Sequence, residues 1–326
     1  MRTRGILWIL IRIIIAFGIL YFLFIKIPYQ DVVASMTTAN LWYLIPGLLI
    51  SIFGHLIIAL RLKILTDEQG MTLSIYQIFK IDIATTFYRL FLPGGALSAG
   101  AIRFYKLSSF EKKRAETLAA IAVDRMISTI ALCIVGLLFW FLYFPSDSNY
   151  IALSMSLLLL SGLILFSFII YFNQGVESAI KMLDVLKIDY VVARIKKLFF
   201  ALTRFRNLSS GSITIIFTVS IIMQIIGIGV YYLLAKSLGI EVSFFAMGWI
   251  RCVVVLISMI PISIAGLGVR EGLLILLLRP FAVLDEEALA FSLLVFAVNV
   301  VLVGLLGGLI EAGQASIWRS EPLRKI

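Results

Sequence analysis

Residues 41–60 read LWYLIPGLLISIFGHLIIAL, with no Asp, Glu, Lys or Arg among them. A helix of about 20 residues rises roughly 30 Å, the thickness of a bilayer's hydrocarbon core. Working outward, similar apolar runs cover about residues 5–25, 150–172, 213–234 and 288–312, and 115–144 is broken mainly by Asp124-Arg125. The whole chain is 62% hydrophobic and 14% charged, against about 45–50% and about 25% in soluble domains. A soluble core hides many apolar side chains, but not several uncharged runs of this length. The expected fold is therefore all-α and polytopic. Residues 1–326 form one transmembrane domain, with halves at 1–172 and 211–326 and a connector at 173–210. The first run lacks the short apolar region and small-residue cleavage site of a signal peptide, so it is expected as an uncleaved first helix.

The formal net charge is +10. In a soluble protein that would suggest nucleic acid; here the cytoplasmic collection of Lys and Arg accounts for it, and no nucleic-acid partner is expected. The N-terminus, the Arg61 loop, residues 103–114, residues 181–206 and the C-terminal tail are basic, whereas residues 145–150 carry no Lys or Arg. One arrangement puts every strongly basic stretch inside: about six full crossings of the cell membrane, with both termini cytoplasmic. In the connector, Lys181, Lys187, Arg194, Lys196, Lys197, Arg204 and Arg206 are interleaved with apolar residues. That pattern suits amphipathic helices at the membrane surface, or a solvated linker carrying the inside charges. Cys133 and Cys252 lie in apolar runs and read as small buried hydrophobes. With a single His, His55, they make no zinc site, and no cofactor is expected.

Two segments are too long and too broken for single spans. Residues 75–107 carry Leu92-Pro93-Gly94-Gly95, then Gly100 and Arg103; residues 244–281 carry Ile260-Pro261, then Gly266, Gly268 and Arg270. Pro removes a backbone donor and Gly permits a sharp turn. Each segment is expected to form two half-helices meeting at a tip near the midplane, the first entering from the cytoplasm and the second from outside. The alternative is an ordinary helix kinked at Pro. Paired interruptions at corresponding positions point to an inverted-repeat transporter with its site between the halves.

Ionisable residues within membrane spans usually pair or line a path. The candidate substrate-binding residues are Gly94, Gly95, Arg103, Asp124, Arg125, Gly266, Gly268, Arg270 and Glu271, with Arg89 and Arg251 also inside the apolar segments. Half-helix amides and forked guanidinium donors suit an anionic headgroup. Asp124 and Glu271 would neutralise arginines when the site is empty. Against these stand plainer roles: Arg103 as an end anchor and Asp124-Arg125 as a structural pair. Glu311 and His55 read as packing or helix-end residues, and Asn299 as an interhelical hydrogen-bonding residue.

Leu92-Pro93-Gly94-Gly95 with Arg103, the Asp124-Arg125 pair, and Gly266-Leu267-Gly268-Val269-Arg270-Glu271 resemble the lysylphosphatidylglycerol synthase transmembrane family. That family includes the flippase half of the bacterial multiple peptide resistance factor, stand-alone proteins, and fusions to glycosyltransferases. The resemblance implies a domain that moves an anionic or aminoacylated lipid between leaflets. Relatives fused to a soluble aminoacyl-transferase carry it after the membrane region. This chain stops about a dozen residues after its last span, so synthesis of the aminoacylated lipid by this chain alone is not expected. Without a Walker motif, ATP is not the expected driver. The competing readings are an intramembrane enzyme acting on lipid-linked sugar or phosphate, and a scaffold that anchors a separate soluble enzyme. The first lacks a convincing nucleophile–base pair or metal cluster, so no enzymatic activity is expected.

Overall fold

The computed structural model describes residues 27, 29–91, 96–143, 200–202, 205, 208–259 and 266–320. The expected spans at 5–25 and 150–172, most of the connector 173–210, and both proline tips with Gly94 and Gly95 lie outside the described residues. Everything regular among the described residues is helical: α1 Tyr29–Thr37, α2 Leu41–Glu68, α3 Ile75–Phe91, α4 Ala96–Glu111, α5 Arg114–Tyr143, α6 Ser210–Ser237, α7 Phe244–Met259, α8 Val269–Leu278, α9 Asp285–Phe296 and α10 Val303–Ser320. Four helices are long and apolar enough to cross a membrane: Leu41–Glu68, Arg114–Tyr143, Ser210–Ser237 and Asp285–Gly313. The last joins α9 to α10 through a π turn, Ala297–Leu302.

Helix starts follow local chemistry. The Asn40 side chain accepts from the Trp42 N–H at 2.9 Å, and Ser209 Oγ accepts from the Ser212 N–H at 3.0 Å. Ser74 and Gln77 form a reciprocal box, each side chain accepting from the other's backbone N–H. At the far end of α4, Glu111 accepts from the Thr72 N–H and hydroxyl. The Thr72 amide, ahead of the hydroxyl and the Lys113 charge, holds this carboxyl below its usual range.

Around an apolar core, the helices also turn large apolar side chains outward. On α2, Leu49, Phe53, Leu56 and Leu60 are exposed, while Ser51, Gly54, Arg61 and Leu62 are buried. Polar groups face protein and apolar groups face outward, as hydrocarbon surroundings require. Arg61 is a correction to the charge tally above. The helix runs on to Glu68, and Arg61 is buried inside the bundle, because Asp124 offers it a counter-charge.

Helices α2 and α6 run antiparallel along their full length. The Asn40 N–H donates to Ser237 O at 2.7 Å. Gly47 faces Leu234, Gly54 faces Met223 and Ile226, and Ser212 Oγ donates to Glu68 at 3.0 Å. Around this pair the packing comes in matched sets: α3 lies on α10 and α5 on α7, α3 on α4 and α7 on α8, α2 on α3 and α6 on α7. The close contacts use glycine on both sides. Gly304, Gly307 and Gly308 of α10 face Leu90, Ile83 and Phe87 of α3, while Gly136 of α5 faces Cys252, and Gly248 of α7 faces Phe139. Cys133 and Cys252 are buried free thiols in this layer, as expected of small hydrophobes.

Gly307 is the least forgiving of these glycines, because a Cβ there would strike the backbone carbonyl of Ile83 and stand 3.1 Å from Ala84 Cα. Backbone cannot swing aside as a side chain can. Gly307→Ala is expected to cost about 1–3 kcal/mol by overpacking, a drop of several degrees in melting temperature in detergent. Gly229→Ala, where a Cβ meets nothing, serves as the control. Equal melting of the two variants would show that α3 and α10 do not pack this way.

Candidate functional site

The interior carries two charge clusters. In the first, α2, α3, α4 and α5 each bring ionisable groups together. Arg103 Nη2 lies 2.8 Å from Asp82 Oδ1 and Nη1 lies 3.9 Å from Asp124 Oδ2. Arg61 Nε donates to Asp124 Oδ1 at 2.7 Å and its Nη1 to Ser220 Oγ of α6 at 3.2 Å. On the other side of Asp82, His55 Nδ1 stands 2.6 Å from Oδ2. Arg61, Arg103 and Asp124 are all at most 4% exposed. Arg103 is thus held among carboxylates. Its contact with Asp82 is close but poorly aligned, so Nε and Nη2 have no hydrogen-bond acceptor.

The second cluster surrounds the start of α8. Gly266 and Gly268 have φ of 76° and 82°, left-handed turns that favour glycine. They turn the chain into α8 so that Arg270 and Glu271 point inward. Arg270 Nη2 pairs with Glu271, Arg270 Nε donates to Ser292 Oγ at 3.0 Å, and Ser292 donates to Glu271 Oε1 at 3.1 Å. Glu271 also accepts from the Gly268 N–H at 2.6 Å. That tip amide, expected to aim at a ligand, is therefore occupied from within the helix. The Arg270 guanidinium lies 5.0 Å from the Phe296 ring centre, a cation–π distance. As expected, Asp124 and Glu271 both neutralise arginines.

Between the clusters stand arginines with no such partner. Arg89, on the last turn of α3, is close enough to feel the charges of Arg270 and Arg125 and the Tyr231 phenol. It makes no ion pair among the described residues, and its buried Nε has no hydrogen-bond acceptor. Arg125 is exposed, yet lies within electrostatic reach of Arg103, Asp124, Asp82 and Arg61. Arg251 donates to Gln224 Oε1 at 3.1 Å, lies against Gly227 and stands 5.7 Å from the Tyr231 ring centre. Its Nε is also unfilled.

The expected site residues therefore divide. Arg103, Asp124 and Arg125 belong to one cluster and Gly266, Gly268, Arg270 and Glu271 to the other, and Arg89 lies between them. The sequence reading left out Asp82, His55, Arg61 and Ser220. Asp82 carried a signal, an acid inside an apolar segment; Arg61 was masked by its place at the end of an apolar run. Asn299, expected to bond between helices, accepts from Ser51 Oγ at 2.8 Å from within the π turn. Glu311 pairs with Lys106 and accepts from Tyr88.

Among the described residues no group of three or more His, Cys, Asp or Glu is arranged to hold a metal ion. No curated protein matches the chain. The family model described as the lysylphosphatidylglycerol synthase TM region matches residues 9–307, and the chain belongs to that family of membrane proteins of lipid-related processes.

Proposed function

We propose that the protein carries a lipid with an anionic headgroup between the leaflets of the cell membrane, without acting as an enzyme. The observation that carries this reading is Arg89, whose buried Nε has no acceptor, which makes no ion pair among the described residues, and which lies within electrostatic reach of Arg270 and Arg125. Like charges in a low-dielectric interior repel and are costly there. An anion entering between them removes that cost, whereas a permanent structural role would call for a carboxylate beside Arg89. A headgroup lying here leaves its acyl chains beside the exposed apolar faces of the helices.

The matched packing supports an inverted repeat. If α2 corresponds to α6, α3 and α4 to α7 and α8, and α5 to the α9–α10 rod, the helix contacts of one half reappear in the other. Corresponding helices α2 and α6 are antiparallel, so the axis relating them lies in the membrane plane. The interrupted segments α3–α4 and α7–α8 then enter from opposite faces, their breaks adjoining Arg89 and Arg270. Rocking one half against the other would expose the site alternately to each side. We place both termini in the cytoplasm, where the basic stretches belong.

Reconstitution tests this. Vesicles holding the purified protein receive acyl-labelled phosphatidic acid or phosphatidylglycerol, and a membrane-impermeant quencher is added. Movement makes the protected inner-leaflet half of the label accessible in protein-containing vesicles only. A protected half that persists as in empty vesicles, for both lipids, refutes transport. Conversion of the label to a new species would instead favour an intramembrane enzyme.

A further inference from the structure

The ledger of interior charge does not close. Six arginines, Arg61, Arg89, Arg103, Arg125, Arg251 and Arg270, share the bundle with three carboxylates, Asp82, Asp124 and Glu271. His55 can only add positive charge, and Glu311 is spent on Lys106. The apolar runs 5–25 and 150–172 and the tips 92–95 and 260–265 contain no Asp or Glu, and 5–25 adds Arg12. Among the described residues three positive charges are left over. Two of the arginines without a carboxylate partner also carry a buried donor with no acceptor, Arg89 Nε and Arg251 Nε. The Arg251 guanidinium stands 5.7 Å from the Tyr231 ring centre, and Arg89, Arg270 and Glu271 lie within electrostatic reach of the same phenol.

Resting on the transport reading, we infer that the lipid held here carries at least two negative charges on its headgroup, as a phosphomonoester or diphosphate does. A phosphodiester with a single charge leaves two arginines unneutralised. A lysylated headgroup, whose two ammonium groups outweigh its single phosphate charge, adds positive charge to a positive site. A terminal phosphate also presents several acceptor oxygens to several forked donors at once, which a diester does less well.

Binding measured apart from transport tests this. The full-length protein in neutral detergent is titrated with phosphatidic acid, phosphatidylglycerol and lysylphosphatidylglycerol of matched chains, and bound lipid is counted by native mass spectrometry. Phosphatidic acid is expected to bind at least about tenfold more tightly than phosphatidylglycerol, with the lysyl lipid weakest. Arg251→Gln narrows the phosphatidic acid preference about tenfold, and Arg251→Lys keeps most of it; both are compared at matched melting temperature. Equal affinities, or a preference for the lysyl lipid, overturn the inference. Displacement of phosphatidic acid by inorganic phosphate at the lipid's own concentration also overturns it, because the site then belongs to a soluble anion. A protein that moves phosphatidylglycerol yet binds all three alike loses this inference and keeps the transport reading. One that prefers phosphatidic acid yet moves no lipid loses the transport reading alone.

Discussion

Arg89→Gln is expected to slow transbilayer movement of an anionic lipid by about 10–100-fold, the loss of one hydrogen bond to a charged group, without destabilising the protein. The combination is what makes the variant informative. Most substitutions of a buried charge strand a partner, so lost function and lost fold cannot be separated. Arg89 has no carboxylate partner among the described residues, and its charged neighbours are arginines. Neutralising it removes repulsion and orphans no carboxylate among the described residues. The melting temperature in detergent should hold or rise while the rate of label loss falls. Arg270→Gln serves as the contrast. It leaves Glu271 buried with Ser292 and the Gly268 amide only, so it should lose stability as well as rate. If Arg89→Gln moves lipid as fast as the unaltered protein, the grouped arginines are not the site. If it melts well below the unaltered protein, Arg89 has a structural partner and the central premise is wrong.

How far the sequence alone could reach is clearest at particular residues. The long spans were legible because the bilayer demands about 20 apolar residues, and α2, α5, α6 and the α9–α10 rod each meet that demand. The helix ends at Phe91 and Met259 border the two Pro-containing stretches singled out in the sequence, which themselves lie outside the described residues. Arg270 and Glu271 were legible because a charged pair directly after a glycine turn has few other reasons to sit there. Other features were not legible. Arg61 looks like a helix-end anchor until Asp124 is seen to come beside it from α5, 63 residues away. His55 is unremarkable singly and acquires meaning only beside Asp82. A single chain fixes periodicity and local breaks, but pairing between distant buried charges depends on helix packing, which has no short-range signature.

The second large effect is expected at Asp124. Its two oxygens are divided between Arg61, at 2.7 Å, and Arg103, at 3.9 Å, and it is 2% exposed. Asp124→Leu leaves both guanidinium groups buried, with only Asp82 and Ser220 to share. Removing one partner from a buried ionic group typically costs 3–5 kcal/mol. Here the loss falls on the junction of α2, α4, α5 and α6, so a sharp fall in folded yield and in melting temperature should follow. The arithmetic of charge makes a second variant the decisive one. Replacing Arg61 as well, in Asp124→Leu with Arg61→Met, removes a cation together with its anion and returns the net interior charge to its starting value. That double variant should recover much of the lost stability, since an apolar pair of similar volume often replaces a buried ion pair at little cost. Additive losses in the two single variants and the double would mean that the two residues act independently. The pairing that holds these four helices in register would then lie elsewhere.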